Sequence, residues 1–456
     1  MKRALWIALG LAFVSGVATS QELPWPLAAA DDEPAPAEAD GADAEGGEDA
    51  AGEDDEDDAP RWFALRGGSV YQAGAWLEGA TVLGKDGRIV AVGTHVVVPA
   101  DAEVLDVTGY RVYPGLVAFD SRGIVGQQPG DSTDVFGLEL NLALATGITT
   151  VGAGSQLAKL TWGTLEGHDL GESGLVRIDI SQASLRARLR EDLARVEAYL
   201  RDSKIAAAAK ARGEEAKEPD SKFLRGKFAA YRDLLVGTKR ALVNADTAGD
   251  LRALTRLTLR FGFRAVVKGA VEGWTLPGEL GRAGISVVAT PRERREPDPD
   301  RMAENGWSIE NAARLHEHGV EVAILPRSPG ISMGGLAGGD LLTFPLEAAF
   351  AMRGGLSEDA ALEAITIVPA RLLGIADRVG TLEVGKDLDA VIVKGDLLHY
   401  QTLVEWTVVN GRVAYDKAKD TLLQHVRPRD GEGENLPVPL IWPRRGNAPD
   451  SPPRPR

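Results

Sequence analysis

Short apolar segments bounded by glycines occur near both ends of the chain, and the long stretch between them alternates strand-like and helix-like patterns. ALRGGSVYQ, GATVLGKDG and RIVAVG fall between Trp62 and Val112, while VGTLEVGKDLDAVIVKGD and LVEWTVVNGRVAYD lie toward the other end. Each alternates or runs apolar between turn residues, as short strands do. The Asn410-Gly411 pair between two apolar runs is a hairpin signal, because both residues tolerate the positive φ that a two-residue turn demands. Two β segments flanking an α/β region predict one small β domain assembled from both chain ends.

Between them, eight candidate strands can be counted: RVYPGLVAFDS, GITTVGAG, KLTWGTL, GLVRIDIS, KRALVNA, FRAVVKGA, GISVVATP and VEVAILPRS. Helical patterns separate them. DTAGDLRALTRLTLRFG offers Asp246 or Thr247 as a cap and Gly262 as a stop, NAARLHEHG ends at Gly319, and LSEDAALEAITIVPARLLG has apolar helical spacing. Strands alternating with helices call for parallel pairing through crossovers, and eight such units predict a (β/α)8 TIM-like barrel beside the composite β domain. Ser184 to Val236 is charged and alanine-rich. Its LRARLREDLARVEAYLRD part is helical in spacing, and AAAAKARGEEAKEPDSK reads as a loop between two helices.

The termini differ from this core. Lys2 and Arg3, the apolar run Ala4 to Val17 and the small residues Ala18-Thr19-Ser20 read as a secretory signal, with an uncleaved anchor as the alternative. Asp31 to Asp58 holds fifteen acids and no base; taking those fifteen from the net charge of −16 leaves −1 for the rest. Such a block lacks the apolar material to offset its ordering entropy and reads as a linker, with a calcium buffer or a contact for a basic partner as the functional alternatives. The predicted organisation is a signal at 1–20, an acidic linker at 21–60, β-sandwich halves at 61–112 and 378–425, a barrel at 113–377 and a Pro-rich tail at 426–456. The protein is then exported, to the periplasm or beyond the cell, with no membrane span after signal cleavage. The absence of cysteine rules out disulfides, a thiol nucleophile and thiolate metal sites.

Several stretches together resemble the amidohydrolase superfamily, in particular its imidazolonepropionase-like branch, over roughly Trp62 to Lys417. They are GRIVAVG with VPADAEVLDVTGYRVYPGLVAFDS, then LALATGITTVGAGS, then ALVNADTAGDLRALTRL, then ARLLGIADRVGTLEVGKDLDAVIVKGDLL with VVNGRVAYD. The resemblance implies a metal-dependent hydrolase barrel with a β-sandwich built from both termini. Such hydrolases use one or two divalent metals to lower the pKa of water and polarise a carbonyl. The ligands sit at the C-terminal ends of the barrel strands.

At those strand ends this chain departs from the pattern the resemblance implies. The first strand should end in His-x-His; here it reads Asp120-Ser121-Arg122. Asn244 stands for the fifth-strand histidine, Lys268 for the sixth-strand histidine, and Arg327 for the eighth-strand aspartate. The fourth strand, GLVRIDIS, has no lysine to form a bridging carbamate. Guanidinium and ammonium groups have no free lone pair, so only Asp120 among these offers a good ligand. Three cations against Asp120 leave about +2 where a cation would bind. No cofactor is therefore expected; zinc or another divalent metal enters only if the protein is an active hydrolase.

Three uses of the cations follow. They can pair with Asp120 in a network that fills the vacated site, since buried charge demands pairing. Alternatively Arg122, Lys268 and Arg327 can bind a small anion, because Arg forks suit carboxylate and phosphate. A third use makes Lys268 a nucleophile or base assisted by Glu272. His316 and His318 read as surface residues of a last helical turn, His168 as a loop histidine that can approach the barrel mouth, and His95, His399 and His425 as structural or exposed. No catalytic triad and no phosphate loop is legible: ISMGGLAGGD lacks the Walker lysine and reads as a flexible loop after the eighth strand. Scattered basic residues without aromatic interleaving argue against nucleic acid. The functional expectation is a relative with a lost metal site that binds a small anionic ligand or a protein partner. The alternatives are an active hydrolase of non-peptide C–N bonds and an assembly scaffold; a homo-oligomer is compatible with each.

Overall fold

The computed structural model describes residues 60–72, 74–126, 129–332 and 338–420. The predicted signal, nearly all of the acidic linker, His425, the Pro-rich tail and the middle of the ISMGGLAGGD loop lie outside the described residues.

The chain opens in a sheet. β1 (Trp62–Gln72) pairs antiparallel with β2 (Ala75–Lys85), which pairs antiparallel with β3 (Arg88–Gly93). The other edge of β1 is shared, with β4 (Glu103–Asp106) running parallel to Phe63–Arg66 and β5 (Arg111–Pro114) parallel to Ser69–Val70. Register shifts on either side of Gly68 mark the point where one partner gives way to the next, and such irregularities bend a strand. RVYPGLVAFDS, read above as one barrel strand, is split at Gly115: β5 belongs to this sheet and β6 (Leu116–Ala118) does not. A Cβ at Gly115 would lie 2.2 Å from Thr149 Oγ1, so only glycine lets the chain cross so close to its neighbour.

After α1 (Pro129–Ser132) and α2 (Leu138–Ala145), β7 (Ile148–Ala153) pairs parallel with β6. The predicted third barrel strand, KLTWGTL, does not form. β8 (Gln156–Lys159) folds straight back on β7 as an antiparallel hairpin and pairs antiparallel with β9 (Asp169–Glu172). Only Gly154 and Ser155 separate β7 from β8, and Gly154 has φ +70°. Two residues make a hairpin turn, whereas a parallel crossover needs about a dozen or more.

β10 (Leu175–Arg177) leads into α3 (Ala183–Ala211) and α4 (Lys227–Val236). The run AAAAKA, expected in a loop, completes α3, because alanine is the strongest helix former. Then come β11 (Arg240–Ala245), α5 (Ala248–Phe261), β12 (Ala265–Gly269), α6 (Pro277–Arg282), β13 (Ile285–Ala289), α7 (Asn311–Glu317) and β14 (Val322–Ile324). Thr247 caps α5 by accepting from the Asp250 amide at 3.2 Å, and Gly262 ends it in the left-handed region. Strands β10 to β14 form one parallel sheet in sequence order.

Three helices follow: α8 (Phe344–Arg353), α9 (Glu358–Glu363) and α10 (Ile367–Leu373). The break between α9 and α10 has a structural use. Pro369 has no N–H to give the Ile365 carbonyl, which instead accepts from Val117 of β6 at 2.9 Å. The Ala364 carbonyl accepts from Ile324 of β14, also at 2.9 Å. Backbone that is not a strand thus bridges β14 and β6, and among the described residues no continuous ring of strands closes. The architecture is a mixed α/β fold whose α/β region has seven parallel-paired strands among the described residues, in two groups, β6–β7 and β10–β14, rather than a complete (β/α)8 ring.

β15 (Ala390–Val393), β16 (Val404–Val409) and β17 (Arg412–Asp416) return to the first sheet. β15 pairs antiparallel with β5, giving the order β17-β16-β15-β5-β1-β2-β3 with β4 beside β1. Strands from both chain ends are hydrogen-bonded into this one sheet. Its own core includes Phe63, Leu65, Val82, Val112, Leu388 and Ile392. Asn410 and Gly411 take positive φ between β16 and β17, as the hairpin signal required.

Lys159 ties this sheet to the rest of the fold. Its ammonium is fully buried and lies 2.7 Å from Asp387 Oδ2 and 3.0 Å from each oxygen of Asp389. Arg378 adds a second cation, 2.9 Å from Asp387. Burial pushes the Asp389 carboxyl above the usual carboxylate range, with Lys159 and the Asn410 amide acting against it.

Candidate functional site

A cavity of about 590 Å³ opens where β6, β7 and β10 to β12 come together. The strand ends determine what faces it. In a strand, residues two apart share a face, and the pairs Leu175/Arg177 on β10 and Leu242/Asn244 on β11 both line the cavity. Asn244 and Lys268 are register partners on adjacent parallel strands, so their side chains leave the sheet side by side. Asp120 and Arg122 lie just past β6. Ser121 holds that segment to β7, donating to the Gly152 carbonyl through its amide at 2.6 Å and its hydroxyl at 2.9 Å. The Arg122 amide donates to Pro329 O at 2.8 Å.

The centre of the site is an ion pair. Lys268 Nζ donates to Asp120 Oδ2, with the side chains 29% and 17% exposed. Arg122 and Arg177 line the same cavity, and neither guanidinium has an ion-pair partner among the described residues. Three cations against one carboxylate leave a formal +2 at the mouth. Of the residues read from the sequence, Asp120, Arg122, Asn244 and Lys268 are brought together.

Two are not. Arg327 is exposed and does not line the cavity, because β14 ends at Ile324 and the buried Leu325-Pro326 carry the chain onward before Arg327. Glu272 is also elsewhere. Gly269 and Ala270 take φ of +108° and +51° and turn the chain out of β12. Buried Glu272 then accepts from the Ala248 amide at 2.8 Å, at the start of α5, and pairs with Arg301 at 3.2 Å. It therefore cannot assist Lys268 and instead anchors the loop beyond it. Sequence reading missed Arg177, although the two-residue period of GLVRIDIS already placed it on the face of Leu175.

The described histidines lie apart from the cavity. His168 is fully buried, with Nε2 3.0 Å from Thr133 Oγ1 and Nδ1 3.3 Å from Thr161 Oγ1, and burial lowers its pKa. His316 and His318 are exposed in and just after the last turn of α7, His318 Nδ1 lying 2.8 Å from the Arg314 carbonyl. His95 is exposed, and buried His399 stacks on Tyr400.

The donor set does not fit a divalent metal. Among the described residues no three His, Asp or Glu side chains converge to hold an ion. At the mouth the one carboxylate already accepts from an ammonium, and the other charged lining residues are cations that repel a metal.

Residues 279–420 match the family model described as the amidohydrolase family. An amidohydrolase from Thermotoga maritima MSB8 is similar in structure, with 23% identity and a TM-score of 0.61 over 78% of this chain and 100% of that one. A prolidase complexed with N-methylphosphonate-L-proline shows 16% identity and a TM-score of 0.48, covering 78% of this chain and 100% of its own. N-isopropylammelide isopropylaminohydrolase from Burkholderia multivorans ATCC 17616 shows 15% identity and a TM-score of 0.46, covering 78% and 98%. No curated protein sequence matches the chain. The likeness to the Thermotoga amidohydrolase gives the fold.

Proposed function

We propose that this chain is a ligand- or partner-binding amidohydrolase relative that has exchanged a metal site for an internal ion pair. The observation that carries the reading is the Lys268–Asp120 pair. The ammonium stands at the strand ends where the fold family would place a metal, and Asp120 is the carboxylate that would have ligated it. An ion pair needs no ion from solution, and it occupies the best donor in the mouth.

In the same proposal the protein is exported, with residues 1–20 as its signal, 21–60 as an acidic linker and 426–456 as a tail. The motif series from GRIVAVG to VVNGRVAYD supports the finer placement in the imidazolonepropionase-like branch. The match over residues 279–420 also favours a second reading, an active hydrolase of non-peptide C–N bonds. The test is turnover of a panel of amides and lactams with zinc, manganese or iron added. Working enzymes exceed the uncatalysed rate by about 10⁶-fold or more. The proposal predicts no rate above background. Metal-dependent turnover that co-purifies with the protein and survives in a Lys268→Ala variant would establish the second reading.

A further inference from the structure

We infer that the cavity at the strand ends is a site for an amphipathic organic anion, with a phosphate or carboxylate head held by Arg122 and Arg177 and an apolar body packed on the wall behind them. This rests on the ligand-binding reading above and names its ligand class. The charges at the mouth are not alike in state. Lys268 is already neutralised by Asp120, whereas Arg122 and Arg177 have no acid partner among the described residues.

Two guanidiniums sharing one cleft repel each other and focus positive potential into it. Their planar forks match a carboxylate or phosphate through paired N–H···O bonds. The volume, about 590 Å³, lies within the range of small-molecule sites. Phe119, Leu157, Leu242 and Leu373 are buried side chains that also line it, so the site has an apolar wall as well as a charged rim. A bare inorganic anion would use only the rim; an anion with an apolar body would use both. Asp120 does not oppose the head group, because its charge is matched by Lys268.

The test is calorimetric titration of the full chain, treated with chelator and dialysed, against inorganic phosphate and against phenylphosphate at ionic strength fixed with chloride. The expected result is one saturable site per chain for each, with phenylphosphate tighter by about tenfold because its ring leaves water. The double variant R122A/R177A should weaken phenylphosphate by about 30-fold or more, and R122Q or R177Q singly by about tenfold, as lost charge-assisted hydrogen bonds do. Arg252→Ala, at an exposed pair with Glu279 away from the cavity, should leave affinity unchanged. A thermal unfolding scan of each variant without ligand confirms that it is folded. No saturable heat up to about 10 mM of either probe, which would put any affinity beyond the millimolar range, overturns the inference. Equal affinity in wild type and R122A/R177A overturns it as well. Stoichiometric metal surviving the chelator would instead defeat the ligand-binding reading, so the two failures are separately visible.

Discussion

Truncating Lys159 to methionine would leave Asp389 buried without its cation, while Asp387 keeps Arg378. Breaking a buried pair from one side costs about 3–5 kcal/mol, and Lys159→Met should show that loss in urea unfolding at neutral pH. The deficit should shrink in acid. Asp389 is held above the usual carboxylate range, so the folded state keeps its proton to higher pH than the unfolded chain does. Its contribution to stability is therefore best below the unfolded value near 3.8 and is lost as pH rises through the folded value. Without Lys159 that trend should steepen; a deficit independent of pH would contradict the account. His168 acts in the opposite sense. Its folded pKa is lowered by burial, so the unfolded chain takes up a proton first as pH falls below the ordinary 6.5, and stability drops. His168→Asn should remove that component of the melting-temperature profile below about pH 6.5. Neither role was legible in the sequence. Lys159 and Asp389 are 230 residues apart, and His168 read as an ordinary loop histidine.

At the scale of elements, much followed from local chemistry. The Thr247 cap, the Gly262 stop and the Asn410-Gly411 turn depend only on residues near them in sequence. Thr247→Ala should cost about 1 kcal/mol, read as a shift in the urea midpoint at unchanged slope. The misreadings have equally local causes. KLTWGTL has the composition of a strand, but the Gly154-Ser155 turn leaves no room for a crossover before it. The α9–α10 break depends on Pro369 freeing a carbonyl for Val117, a partner that pattern reading cannot supply. Gly152→Ala tests how closely β6 and β7 approach beside the cavity. The added Cβ would sit 2.3 Å from the Phe119 carbonyl, and a cost of about 1–3 kcal/mol in urea unfolding is expected, as for other overpacked sites. A neutral substitution there would mean that the strand ends at the mouth are loosely held.

Across the whole molecule, the strand-end residues of the mouth were legible because each stands at or near the end of its own strand in the sequence: Asp120 after β6, Asn244 on β11 and Lys268 on β12. Their convergence was an inference from the fold, and the ion pair between Lys268 and Asp120 gives it geometry. Arg327 and Glu272 were misplaced because each lies beyond its strand: Leu325 and Pro326 intervene between β14 and Arg327, and Gly269-Ala270, both at positive φ, turn the chain before Glu272. On the proposed function, the Lys268–Asp120 pair stands at the mouth in place of a metal. The most direct measurement is the metal content of the purified full chain, produced with zinc, manganese and iron supplied and then dialysed. The account predicts far less than one metal per chain from a folded protein. One tightly held metal per chain would contradict it.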